Sequence, residues 1–504
     1  SVVYLRLLEF VNSTDAHSNS REFLEAVASS FLLHKTDILG IQALVNASYP
    51  DIGSTEGGFI YGELGGYRLS NNSLFLVKHF GNEAVYLNNQ PVTDGRISIM
   101  VPGSVIKIET KSRVFFSDLI RQFLDSPEVP KIDFEAEGIS HYFNYPKEQA
   151  IHELKLKERE GTLVGIMGGS GSGKSTLLNI LNGTIKPLFG NVLLNGVDIH
   201  EEATKVNGII GHIAQEDALI SELSVRKNLL YSAKLTFGEL SNKEIDIKVD
   251  ETLVSLGLWE IKDLRVGSIL DKTISGGQRK RLNIALELIR EPLVLFVDEP
   301  TSGLSSYDSI QIMDLLKELS HRGKLVFAVI HQPSSEIFKL FDKFLMLDIG
   351  GYPIYYGDPT SIIPYFKRIT NQVDPNQSSC LQCGNINPEQ IFETIETREI
   401  DEYGNISNNR KISPEEWNGL YIEETKRTEA QDDNDLNFQK LDAINSSPSG
   451  VSQFISFFSR DLFSKLTNRQ YLLINLLEAP MLAALLSLFM RYTPDGGSYM
   501  YKTS

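Results

Sequence analysis

Gly168-Gly169-Ser170-Gly171-Ser172-Gly173-Lys174-Ser175-Thr176 is the stretch that decides how this chain is read. Its spacing is that of a phosphate-binding loop: Gly, four residues, Gly, Lys, then Ser or Thr. Glycines let backbone N–H groups curl around phosphate oxygens, and a helix starting at the loop turns its partial positive end toward them. The flanks supply the context that the motif needs. The apolar run 163–167 reads as a buried strand, and 177–181 as a helix. Lys174 would reach the β- and γ-phosphates, and the Ser175 hydroxyl would ligate Mg2+. Each of Gly168, Gly169, Ser170, Gly171, Ser172, Gly173, Lys174, Ser175 and Thr176 is therefore a candidate nucleotide contact.

Working outward, 293–297 is a second continuous apolar run, as expected of a strand buried on both faces. It ends in Asp298-Glu299. Asp298 can hold Mg2+, directly or through water, and Glu299 can polarise an attacking water. Across 131–370 strands alternate with helices, which signals a parallel α/β sheet.

Between these elements lies Ile274-Ser275-Gly276-Gly277-Gln278, followed by a helix over 279–290. This resembles the signature of ATP-binding cassette (ABC) transporters, over 131–370 and more loosely over 450–490. The resemblance implies an ATPase whose cassettes pair head to tail, as homodimer or heterodimer. Each Mg-ATP would lie between one subunit's phosphate loop and Ser275, Gly276, Gly277 and Gln278 of the other. It implies a glutamine-loop role for Gln215, touching Mg2+ and the membrane domain, and a switch-histidine role for His331 near the γ-phosphate. With Glu299 these form the implied catalytic set, and Ser175, Gln215 and Asp298 the implied Mg2+ ligands. Tyr145, 23 residues before Gly168, occupies the place of the aromatic that stacks on adenine; Tyr142 and Phe143 are alternatives.

Glu299-Pro300-Thr301-Ser302-Gly303-Leu304, Ile330-His331-Gln332-Pro333-Ser334 and Gly351-Tyr352-Pro353-Ile354-Tyr355-Tyr356-Gly357 resemble the G, or White-type, branch. There the cassette precedes the membrane domain in one chain, and half-transporters act as dimers, which implies an exporter. Six spans are usual in that branch, so one span here implies a membrane domain cut short at the end of this sequence. The family usually has Asp after Gly-Leu in the loop that crosses to the partner. Ser305 stands there instead and implies slower or less coupled hydrolysis.

The flanking segments read as five further regions. Residues 1–50 form a helical domain, with Leu5, Leu7, Leu8 and Val11, then Phe23, Ala26, Val27 and Phe31, at helical spacing. Residues 51–125 change period to short β-rich runs at spacings of about ten residues, which suggests a small all-β sandwich. Val85-Tyr86-Leu87-Asn88-Asn89 and Pro102-Gly103-Ser104-Val105-Ile106 resemble a forkhead-associated domain, a family that binds phosphothreonine through Arg, Ser and His. His79 is the only nearby His, and a docking module without that chemistry is the other reading.

Residues 371–450 are polar and loop-like, a linker or insertion, with 429–435 strongly acidic. Cys380-Leu381-Gln382-Cys383 is half of a zinc-ribbon spacing. Structural zinc usually takes four protein ligands, so the pair is either part of a shared zinc site or two reduced thiols. In 451–470, Phe454, Phe457, Phe458, Leu462, Phe463 and Leu466 form an apolar stripe beside Arg460, Lys465 and Arg469, as in an interfacial helix. Residues 471–490 read as the first transmembrane helix, since twenty helical residues rise about 30 Å, a bilayer core. Asn475, Glu478 and Pro480 interrupt it, and a buried helix is the competing reading. Basic residues before the span would keep that end cytoplasmic.

The whole composition agrees with this layout. Across 504 residues, 48 Lys and Arg against 65 Asp and Glu give a formal net charge of −17. That excludes nucleic-acid binding through bulk positive charge. Two cysteines exclude a disulfide framework. The mean hydropathy of −0.13 hides one span among many polar residues. The expectation is a multidomain, ATP-hydrolysing transporter subunit at the cell (inner or plasma) membrane, its cassette and N-terminal domains cytoplasmic and its transported substrate unread. The alternative is a membrane-anchored regulatory or mechanical ATPase that moves no solute.

Overall fold

The computed structural model describes residues 2–13, 19–30, 35–46, 58–61, 63–69, 74–81, 84–87, 90–92, 95–100, 104–108, 114–115, 119, 131–268, 273–370, 387–400, 406–428, 448–489, 491–492 and 500–501. The chain divides into two compact units. One comprises Ser1–Gln215, Val254–Gly257 and Glu291–Ile444; the other comprises Glu216–Leu253, Leu258–Arg290 and Asn445–Ser504.

The first unit begins with helices α1 (Val2–Ser13), α2 (Asn19–Ser30) and α3 (Lys35–Asn46). Among the described residues eight strands follow: β1 (Gly58–Tyr61), β2 (Leu64–Arg68), β3 (Phe75–His79), β4 (Val85–Leu87), β5 (Gln90–Pro91), β6 (Ser98–Met100), β7 (Val105–Ile108) and β8 (Val114–Phe115). They make two antiparallel sheets, ordered β1-β2-β3-β6 and β5-β4-β7-β8. Successive strand side chains point to opposite faces, and β3 uses both. Leu76 joins Tyr4, Leu5, Leu8, Leu24, Ile41 and Leu44 in a core with the helices. Phe75 and Val77 join Phe59, Val85, Met100 and Ile106 in a second core. The expectation of separate domains over 1–50 and 51–125 is therefore replaced by one packed body. Three short amphipathic helices bury their apolar faces only by sharing the sheet.

The cassette follows with β9 (Asp133–Asn144), β10 (Glu148–Arg159), β11 (Leu163–Gly168), α4 (Lys174–Leu181), β12 (Phe189–Leu194), β13 (Val197–Asp198), β14 (Ile210–Ile213), α5 (Val225–Thr236), α6 (Asn242–Ser255), α7 (Gly276–Leu288), β15 (Val294–Asp298), α8 (Ser306–His321), β16 (Leu325–Val329), α9 (Ser335–Phe338), β17 (Lys343–Asp348), β18 (Tyr352–Gly357) and α10 (Pro359–Ile369). Six strands form one sheet, ordered β14-β15-β16-β11-β17-β18. All neighbours in it are parallel except β17 and β18. Every residue of β11 and β16 is buried, which explains their unbroken apolar sequences. A second, antiparallel sheet runs β10-β9-β12-β13. Its Phe134 meets the stacked rings of Phe296 and Phe327 from the parallel sheet, at 5.8 and 5.3 Å.

Residues 387–428 depart from the loop-like reading of 371–450. They fold as α11 (Glu389–Ile395), β19 (Arg398–Ile400), β20 (Ile406–Arg410) and α12 (Pro414–Thr428), and dock on the edge strand β18. Trp417 is fully buried, edge-on to Phe366 at 5.2 Å. Asn418 Nδ2 donates to the Pro353 carbonyl at 2.7 Å, and the Tyr352 hydroxyl to Glu415 at 3.0 Å. The acidic run 429–435 and both Cys380 and Cys383 lie outside the described residues.

The second unit holds α5, most of α6, α7, and two C-terminal helices, α13 (Gly450–Thr467) and α14 (Arg469–Phe489). Helix α13 packs on α5: the Lys227 ammonium sits over the Phe463 ring at 4.9 Å. Just before α5, Glu222 accepts from Ser464 Oγ at 3.3 Å and from Asn468 Nδ2 at 3.2 Å. Phe454, Phe457, Phe458, Leu462 and Leu466 remain exposed. In α14 the stretch Gln470–Phe489 has a mean hydropathy of 2.0 and none of it is buried; among the described residues it alone is long and apolar enough to cross a membrane. Met490, the last residue of the expected span, lies outside the described residues.

Candidate nucleotide site

The phosphate loop leaves the C-terminal end of the buried strand β11 and enters α4. Gly171 and Gly173 lie in the left-handed region, at φ +76° and +85°, where a Cβ is sterically penalised. A methyl on Gly173 would also meet Ile151 Cδ1 at 2.8 Å and the Ala150 carbonyl at 2.9 Å. The β10 strand therefore presses the loop closed from below. Gly173 is also the N-cap of α4, which no side chain caps; its first N–H groups suit an anion. Lys174 folds back over the loop, and its Nζ donates to the Gly168 carbonyl at 3.0 Å and the Gly169 carbonyl at 2.8 Å. Burial pulls its pKa below the ordinary lysine range, and Glu299 and Asp298 oppose that shift.

Strand register explains how distant residues converge beside this loop. Ile213 pairs with Val297, and Asp298 with Val329. Gln215 and Glu299 thus emerge level with one another, and His331 one residue further on, from the C-terminal ends of three adjacent parallel strands, where open α/β sheets bind ligands. Gln215 Nε2 donates to Glu299 Oε2 at 2.7 Å, and His331 Nε2 lies 2.9 Å from Glu299 Oε1. Glu299 sits at φ +43°, a backbone cost of about 1–3 kcal/mol that the packed strands impose. The hydroxyl of Ser175, the carboxylate of Asp298 and the amide of Gln215 are hard oxygen donors, the set that suits Mg2+. Among the described residues no group of three or more His, Cys, Asp or Glu could hold a metal ion.

The remaining expected positions fall as follows. Tyr142 and Tyr145 meet edge-on at 5.1 Å and share a cluster with Phe189 of β12, 6.4 and 6.0 Å away. Phe143 turns instead to His141. Ser275 is the N-cap of α7 in the second unit, in a reciprocal capping box. Gln278 N donates to Ser275 Oγ at 3.1 Å, and Ser275 N to Gln278 Oε1 at 2.9 Å. This fixes the Gly276-Gly277 helix start. Ser305 likewise caps α8, accepting from Asp308 N at 3.1 Å. Phe189 was not singled out from the sequence, nor were Asp348, Glu396 and Arg410, which also stand near the loop.

A parallel sheet, a glycine loop opening a helix, and an acidic pair on the end of a strand two places away in that sheet together define a phosphate-loop nucleoside triphosphatase. Residues 151–302 match the family described as ABC transporter. Among similar proteins, the ABC-type transporter claG of Penicillium crustosum is 39% identical over 240 residues, 47% of this chain and 32% of that protein. ABC transporter G family member 13 of Arabidopsis thaliana is 42% identical over 207 residues, 40% of this chain and 30% of that protein. ATP-binding cassette sub-family G member 5 of Mus musculus is 34% identical over 223 residues, 44% and 34% of the two chains. The chain carries an ABC transporter ATP-binding domain, an ATPase domain of the kind that powers transport, with homologues in the G subfamily. It spans about a third of the length of these relatives.

Proposed function

We propose that this chain is the ATP-hydrolysing part of a G-type membrane exporter that works as a dimer. The observation that carries the proposal is an ABC ATPase domain followed, in one polypeptide, by an exposed apolar helix of membrane length. ATP would rest on the phosphate loop, with Lys174 on its β- and γ-phosphates and the Tyr142, Tyr145 and Phe189 cluster at the base. The partner's Ser275, Gly276, Gly277 and Gln278 would close over the γ-phosphate, a helix start facing an anion. Mg2+ held by Ser175, Asp298 and Gln215 would supply neutralisation of phosphate charge. Glu299 would take the proton of the attacking water, and His331, 2.9 Å away, would orient that carboxylate.

Helix α13 would lie at the membrane surface with its phenylalanines in lipid, and α14 would enter the bilayer, leaving the cassette in the cytoplasm. The N-terminal body would be a forkhead-associated-like module. Its two four-stranded antiparallel sheets support that reading, and titration with phosphothreonine peptides tests it. Ser305 would weaken communication between paired sites.

Purified chain in lipid nanodiscs tests the central claim. Wild type should hydrolyse Mg-ATP, and Glu299→Gln should lose about a hundredfold or more of turnover, the range of a general base, while still binding ATP. Deleting 451–490 should release the chain from membranes. Normal hydrolysis by Glu299→Gln, or unchanged membrane extraction after the deletion, would refute it.

A further inference from the structure

We propose that the 387–428 insert controls nucleotide affinity through one arginine, Arg410, which neutralises an acidic residue stationed at the phosphate loop. The inference rests on the nucleotide-site reading above. Its starting observation is that Glu396 stands beside the loop: a methyl built on Gly169 would lie 4.0 Å from Glu396 Oε1. An unpaired carboxylate there would repel the phosphates that the loop is built to hold.

Arg410, at the end of β20, answers that charge. Its Nη2 lies 3.7 Å from Glu396 Oε1, while Nη1 reaches both carboxylate oxygens of Asp348, at 2.8 and 2.9 Å. Asp348 is buried and ends β17, the parallel neighbour of the loop strand; Leu347 beside it pairs with Gly168. The turn after Asp348 returns to the other end of the loop. The Gly351 N–H donates to the Asp348 carbonyl at 3.1 Å, and the His152 N–H to the Gly351 carbonyl at 2.9 Å. Gly351 Cα lies 3.7 Å from where a Cβ of Gly173 would be. One guanidinium therefore links the sheet under the loop to the carboxylate above it. Arg410 is a positioning residue that acts on nucleotide through Glu396 and Asp348.

Binding of mant-ATP with Mg2+ to the full chain in detergent tests this, with Lys174→Ala as the control. Arg410→Ala should weaken binding roughly three- to tenfold at low salt, and less in 0.5 M salt because the repulsion is screened. Adding Glu396→Gln to Arg410→Ala should restore most of the affinity, a rescue that a merely structural arginine would not show. Removing the buried charge partner of Asp348 also risks misfolding, so the exposed-site variant Glu396→Gln alone decides that case: it should bind mant-ATP more tightly than wild type. Unchanged affinity in Arg410→Ala overturns the inference, as does Glu396→Gln that neither rescues nor tightens binding. A wild type that binds no better than Lys174→Ala overturns the nucleotide-site reading and this inference with it.

Discussion

Replacing Gly171 and Gly173 by alanine, one at a time, separates two costs that a phosphate loop imposes on its sequence. Both residues have left-handed backbones, at φ +76° and +85°, so either Cβ adds about 1–2 kcal/mol of strain. They differ in what surrounds them. Nothing lies within 4 Å of a Cβ on Gly171. A Cβ on Gly173 would meet Ile151 Cδ1 at 2.8 Å and the Ala150 carbonyl at 2.9 Å. The isoleucine tip can swing away. The carbonyl belongs to the backbone of β10 and cannot, which adds about 1–3 kcal/mol of overpacking. If the loop escapes the strain by leaving its binding geometry, apparent affinity falls by the fraction that remains competent. The expected loss for Gly171→Ala is roughly five- to thirtyfold in Mg-ATP affinity, from strain alone. For Gly173→Ala the summed cost of about 2–5 kcal/mol predicts a loss of at least thirtyfold. Fluorescence titration with mant-ATP, beside a thermal melt of each variant, measures both. Equal affinities for the two variants would refute the claim that β10 holds the loop shut.

Three further outcomes follow from other parts of the first unit. Ser305→Ala should cost about 1 kcal/mol of stability through loss of the α8 cap, while Ser305→Asp should keep it, because Asp caps as well as Ser; equal melting of the two variants contradicts this. Trp417→Ala should cost about 3–5 kcal/mol at its fully buried site and expose 387–428 to limited proteolysis, whereas an unchanged digestion pattern would show that the insert does not depend on that anchor. Burial lowers the Lys324 pKa to about 8, so between about pH 8 and 10.5 the unfolded chain holds a proton that the folded chain has released. Stability should then rise with pH across that window, by about 3 kcal/mol at most from this group. Lys324→Met should flatten the rise in urea denaturation curves, and parallel wild-type and variant profiles would refute it.

The central part of the site was legible because its signals are local. Eight residues of fixed pattern announce the loop, and a run of five apolar residues ending in Asp298-Glu299 announces a strand and its exit. Gln215 and His331 were found only by likeness to a family. Nothing in the residues around either one says that it will meet Glu299, which lies 84 residues after Gln215. Their meeting is a consequence of register among three parallel strands, and register depends on how the whole sheet twists and packs. The separation of 1–50 from 51–125 failed for a related reason. A change of period marks where helices end and strands begin, but it does not say whether their apolar faces share a core.

The insert shows where composition misleads. The stretch 371–450 is polar on average, and an average suits a linker. Yet Ile391 and Ile395, one helical turn apart, and Trp417, a fully buried side chain of a mostly polar helix that also carries Leu420 and Ile422, anchor the described parts of 387–428, and all three are buried. A few large apolar side chains at helical spacing outweigh many polar ones, because the polar residues lose little by staying at the surface, while each buried aromatic contributes several kcal/mol. Once Trp417 is seated on Phe366, Arg410 is delivered to Asp348 without any local motif of its own. Its partner carboxylates lie 62 residues away in Asp348 and 14 residues away in Glu396. Such a charge has no sequence signature. It becomes visible only when the docked insert places it against the strand that carries the phosphate loop, and that placement makes nucleotide affinity sensitive to a residue well outside every nucleotide-binding motif.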